Sequence, residues 1–183
     1  MEGCSERHRT AIVRSQVTND HLATYLRDHL AGSVGAIELI ERIIEVYEGQ
    51  PIAEFCKGMR DRIVADQEEL RAVMKAIEVE ESSLRKASAW LAEKLSLPKL
   101  SPAGDEADDI GLVQALEALM LGIKGKEALW RALGEVQASW PPWENFDFHS
   151  LEKSALEQAA QVDEKRVEAA RAVLRGQGEF GMS

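Results

Sequence analysis

A weak internal repeat constrains this chain more than any other feature of it. Residues 18–46 and 108–136 carry one pattern at a fixed offset of 90, with seven identities in 29 positions. Leu22, Leu26, Gly32, Gly35, Leu39, Glu45 and Val46 recur as Leu112, Leu116, Gly122, Gly125, Leu129, Glu135 and Val136. Leu30/Met120, Ile40/Trp130 and Ile43/Leu133 keep their apolar character. Leucines four apart, then Gly-x-x-Gly, then further apolar residues, is a helical spacing. Two related helices at this distance in the chain imply two related helical hairpins in one bundle.

Composition agrees with an all-α fold. Ala, Leu, Glu, Arg and Lys, the strong helix formers, dominate the 183 residues. The apolar fraction of 45% is spread along the chain, so one continuous core is feasible. The net charge of −10 argues against nucleic acid as a partner, because phosphate recognition needs a basic face. Its ordinary reading is solubility. No apolar stretch approaches the ~20 residues that cross a bilayer, and Met1 to Ser15 lacks the apolar core of a secretory signal. Of the two cysteines, Cys4 lies in a polar leader and Cys56 reads as a small buried hydrophobe. Neither belongs to a CxxC or zinc-ligand cluster, so a reduced, cytoplasmic setting fits.

The spacing predicts one bundle over 17–175, between a flexible leader at 1–16 and a flexible tail at 176–183. Long helices are expected over about 18–48, 51–79, 106–138 and 147–175. Thr18-Asn19-Asp20 offers N-cap chemistry for the first of them. Gly49 and Pro51 punctuate a short turn, which forces the second helix antiparallel to the first. The segment 80–105 reads as a crossover with a short helix at 81–97, broken by Pro98, Pro102 and Gly104. A crossover of that length lets the second and third long helices run parallel. Trp140-Pro-Pro-Trp143, the densest aromatic cluster, forms the second turn. It reads first as a plug at the end of the bundle, and alternatively as a docking site for a partner.

Two hairpins joined by a long crossover, with the first helix of each repeated, resemble the ferritin-like four-helix-bundle superfamily. The segment from Asp20 through Tyr25, His29, Gly32 and Gly35 to Leu39 is similar to the opening of small uncharacterised bacterial members. The resemblance covers about 18–175 and implies a pseudo-twofold relation between the hairpins. Metal-working members take a carboxylate from each of two helices and Glu-x-x-His from each of the other two. This chain contains no Glu-x-x-His. Its second helix offers Asp66-Gln-Glu-Glu69, and its fourth offers Asp163-Glu-Lys-Arg166, where an arginine takes the histidine position. Arginine stays protonated and cannot ligate a metal.

The leading expectation is therefore a soluble, non-enzymatic structural or interaction bundle without a di-iron site, and with no cofactor. No nucleophilic elbow or cysteine–histidine arrangement supports catalysis. Its partner would be another protein or a second copy of the chain. The alternative is a metal- or small-molecule-binding bundle with a nonstandard site from His29, Glu38, Asp66, Glu69 and Glu117. So many carboxylates would suit a hard cation or manganese, with iron the family's usual metal. The four glycines of the repeat each cost roughly 1 kcal/mol of helix stability relative to alanine, so something offsets them. Close approach of the two related helices is the first explanation, and a ligand channel the second.

Overall fold

A computed structural model describes the backbone of residues 3–80 and 110–174, and side chains from residue 20 onward within them. It holds four long helices: α1 (Gly3–Val46), α2 (Pro51–Ala76), α3 (Ile110–Val136) and α4 (Phe148–Leu174). Two 3-10 turns, Gln137–Ser139 and Pro141–Trp143, link the last two. No strand occurs among the described residues, so the fold is all-α. The crossover at 80–105 and its short helix at 81–97 lie almost wholly outside the described residues, as does the tail.

Each turn follows from local chemistry. Gly49 takes φ +81, a left-handed value that costs glycine little, and Pro51 then opens α2 at its first turn. At the other end of α2, Val79 N–H donates to Met74 O and Glu78 N–H to Lys75 O, with Glu78 at φ 56. That is the Schellman pattern, and it stops the helix at Ala76, three residues before the expected end. Between α3 and α4, Gln137 Nε2 donates to the carbonyls of Trp143 at 2.7 Å and Phe146 at 2.8 Å. Asp147 then caps α4, accepting from Ser150 N–H at 2.9 Å.

The largest departure from expectation is the start of α1. The cap chemistry at Thr18–Asp20 places the start of the first helix there. The backbone is instead helical from Gly3. No proline or glycine lies between Gly3 and Gly32 to stop it, and Thr24 bonds back to the Asp20 carbonyl at 2.9 Å within the helix.

Side-chain contacts fix the helix directions. Gln67 of α2 reaches Ser33 of α1, and Arg27 of α1 reaches the Glu80 carbonyl beyond the end of α2, so these two run antiparallel. Arg62 meets Gln161, Gln158 meets Asp66, and Trp143, at the turn into α4, meets the Val73 carbonyl. Hence α2 runs antiparallel to α4. The short turn makes α3 antiparallel to α4 as well, so α2 and α3 point the same way. The core runs the length of the bundle through Leu26, Ile40, Met59, Leu70, Leu116 and Val162. Trp143, fully buried, closes one end. It packs edge-on against Phe148 and donates its indole N–H to Val73 O at 3.1 Å.

A candidate ligand cavity between the repeated helices

Three glycines of the repeat, Gly32, Gly35 and Gly122, line a cavity. The cavity, of about 720 Å³, lies between α1 and α3, with α2 as its floor. A β-carbon built on Gly122 or Gly125 would meet nothing within 4 Å. The expected close helix–helix approach is therefore absent at these two positions, of which Gly122 lines the cavity. Volumes of roughly 300–1,000 Å³ are typical of small-molecule sites.

The walls are built from matching positions. Asp28, His29, Gly32, Ser33, Ala36 and Leu39 line the α1 side. The positions 90 residues later, Ala118, Leu119, Gly122, Ile123, Lys126 and Leu129, line the α3 side. The α1 wall is the more polar, except that Lys126 stands where the repeat has Ala36 in α1. Ile63, Asp66, Gln67 and Leu70 of α2 contribute the floor. Most of the remaining lining is aliphatic or aromatic, including Trp130, which is fully buried.

A polar cluster lies at that floor. The Lys126 ammonium donates to Asp66 Oδ2 and, at 2.6 Å, to Gln158 Oε1. Gln158 Nε2 donates to the same Asp66 oxygen at 2.8 Å and to Ser154 Oγ at 3.2 Å. The Asp66 and Lys126 side chains are only 11% and 14% exposed, so the ion pair sits in a largely desolvated interior. Burial pushes the Lys126 amine below its usual range, and the adjoining Asp66 charge and hydrogen bond oppose that shift. Beside the cluster, Gln67 Nε2 donates to Ser33 Oγ at 2.7 Å, and Ser33 donates to the Leu30 carbonyl at 2.7 Å. His29 stands at the cavity wall, edge-on to Tyr25 with ring centres 4.7 Å apart. Burial holds its imidazole below the ordinary value of 6.5, with the Asp28 charge acting weakly the other way. The indole Nε1 of Trp130 is buried with no hydrogen-bond partner among the described residues.

The five residues of the sequence-derived metal alternative do not gather at one point. His29 and Asp66 line the cavity. Glu38, Glu69 and Glu117 are exposed, and Glu117 lies 3.8 Å from Arg166, which also pairs with Asp163 at 2.7 Å. Among the described residues no group of three or more His, Cys, Asp or Glu side chains could hold a metal ion. Gln158, rather than Asp163, is the α4 residue level with Asp66. Sequence reasoning missed Lys126, Gln158, Gln67 and Trp130 as site residues. For Lys126 and Trp130 the sequence holds a signal: Ile123, Lys126 and Trp130 keep helical stripe spacing, as Ile63, Asp66 and Leu70 do, so each stripe carries a polar residue.

No helix among the described residues is long and apolar enough to cross a membrane. Comparison with protein-family models, with curated proteins and with solved structures finds no match for the chain.

Proposed function

We propose that this chain is a non-enzymatic, ferritin-like bundle that holds a small, largely apolar organic molecule between its two related hairpins. The observation that carries this reading is the cavity itself, between α1 and α3 and lined by Gly32, Gly35 and Gly122 of the repeat. Helix glycines spend about 1 kcal/mol each on missing side chains, and the space they leave has the volume of a ligand site. Two further features support a ferritin-like plan: the parallel course of α2 and α3, and cavity walls that match at the offset of the repeat. At the bundle centre the Lys126 ammonium neutralises Asp66 from within the protein, where a metal centre would require carboxylates to converge.

The test uses N-phenyl-1-naphthylamine, an uncharged dye that brightens in apolar surroundings. The full chain is expected to enhance its fluorescence saturably, at one site per chain. Gly122→Phe, which projects a ring into the open space beside Gly122, should weaken binding at least tenfold while the circular dichroism spectrum stays helical. Absence of saturable binding to the unaltered chain would refute the reading.

A further inference from the structure

Resting on the ligand-binding reading above, we infer that the cavity selects an uncharged head group presenting an N–H and a C=O side by side, a carboxamide, read by Asp66 and Lys126. The argument is one of unused hydrogen-bonding capacity. An ammonium has three donors. Lys126 directs one to Asp66 and one to Gln158, and no third acceptor occurs among the described residues. A carboxylate has two oxygens. Both bonds that Asp66 accepts fall on Oδ2, and Oδ1 has no donor among the described residues. Two side chains already in contact thus each keep one function available on the cavity wall: an acceptor on Asp66 and a donor on Lys126. A carboxamide offers the complement in one planar group, its N–H to Asp66 Oδ1 and its C=O to Lys126 Nζ.

Charge excludes the closest competitors. The Asp66–Lys126 pair is neutral as a unit, and Gln67, Ser33 and Gln158 beside it are uncharged; the other charged side chain on the lining, Asp28, is exposed at the α1 wall, and Arg62 acts on Lys126 from α2. A carboxylate ligand would set a second anion against Asp66, and an alkylammonium a second cation against Lys126. Each would also lose hydration at the pair, whose two charges already satisfy one another and leave no net charge to replace it. Discrimination of this kind comes from repulsion and desolvation as much as from attraction. The aliphatic lining from Leu39, Ile63, Leu70, Leu119 and Leu129 suits a hydrocarbon or aromatic body behind the head.

Three ligands with one body and different heads provide the test: octanamide, octanoate and octylammonium, each displacing N-phenyl-1-naphthylamine from the full chain at pH 7.5. Octanamide is expected to displace the dye at a concentration at least tenfold below either charged compound. The double variant Asp66→Leu/Lys126→Met should still bind the dye but lose the preference for octanamide. Equal or stronger displacement by octanoate or octylammonium would overturn the assignment, and so would an undiminished octanamide preference in the double variant. If that variant does not fold, the ranking on the unaltered chain decides. Saturable dye binding without an amide preference sinks this inference alone, whereas absence of dye binding sinks the cavity reading with it.

Discussion

His29 links a single side chain to the stability of the whole chain. Its imidazole is held below the ordinary value of 6.5 by burial, so in the folded state it stays neutral to lower pH than in the unfolded chain. On acidification below about 6.5, the unfolded chain takes up this proton first. Stability from this residue is thus present above that pH and falls as pH drops toward the folded-state value. Urea unfolding between pH 7 and 5 should show that decline, and His29→Gln should flatten its upper part; an unchanged slope would remove the attribution. Cys56 makes a parallel case. Wholly buried, with its thiol pushed up to about 12 by desolvation, it has almost no thiolate at neutral pH. In a Cys4→Ser background, iodoacetamide should leave the native protein unmodified at pH 8 and alkylate it fully in urea. Mass spectrometry reads the difference. The buried character of Cys56 was legible from its apolar surroundings. The role of Asp66 was not. Its carboxylate lies one turn from that of Glu69, a pattern that suggests a ligand pair, yet Glu69 faces solvent. The helical register separates the two: Asp66 keeps the stripe of Ile63 and Leu70, and Glu69 leaves it.

At the scale of elements, the repeat located the two glycine pairs but not what lies between them. Gly-x-x-Gly within a leucine pattern permits either tight packing or open space, and one chain's sequence contains no measure of interhelical distance. The two cases differ in what a methyl group would do. Packed helices would clash with it. Here the β-carbon of an alanine at 122 or 125 would meet nothing within 4 Å. Gly122→Ala and Gly125→Ala should each stabilise the protein by up to about 1 kcal/mol through helix propensity, measured by urea unfolding. Destabilisation by either would mean that α1 and α3 approach more closely at that point. Helix ends were legible where backbone chemistry forces a stop. Gly49 and Pro51 mark the first turn, and the tryptophan–proline turn plugs the bundle end, with Trp143 bonded to Val73. The start of α1 was not legible, because Thr18-Asn19-Asp20 favours a cap without forbidding a helix that passes through it. The end of α2 was misjudged for a related reason: Glu78 adopts a left-handed conformation that its residue type does not advertise.

At the scale of the whole molecule, the polar centre poses a thermodynamic question whose answer bears on function. Asp66, Lys126 and Gln158 come from three different helices and meet inside the bundle. Such a buried ion pair is seldom more stable than apolar residues of the same volume, because desolvation offsets most of the Coulomb attraction. Breaking it from one side is far worse, since the remaining charge is left buried and alone. Lys126→Met should therefore destabilise the bundle by about 3–5 kcal/mol. Replacing all three at once, as Asp66→Leu/Lys126→Met/Gln158→Leu, should return stability to that of the unaltered chain or exceed it by up to ~4 kcal/mol. Equilibrium unfolding in urea measures both variants, and a sharp transition in the triple variant would show that one cooperative bundle survives. That outcome would mean the three residues are not retained to hold the helices together. The remaining use is what Asp66 and Lys126, held by Gln158, present to the cavity, and the triple variant should bind N-phenyl-1-naphthylamine while failing to distinguish octanamide from octanoate. A triple variant as unstable as Lys126→Met would point the other way, to a polar cluster that fixes how α2, α3 and α4 register against one another.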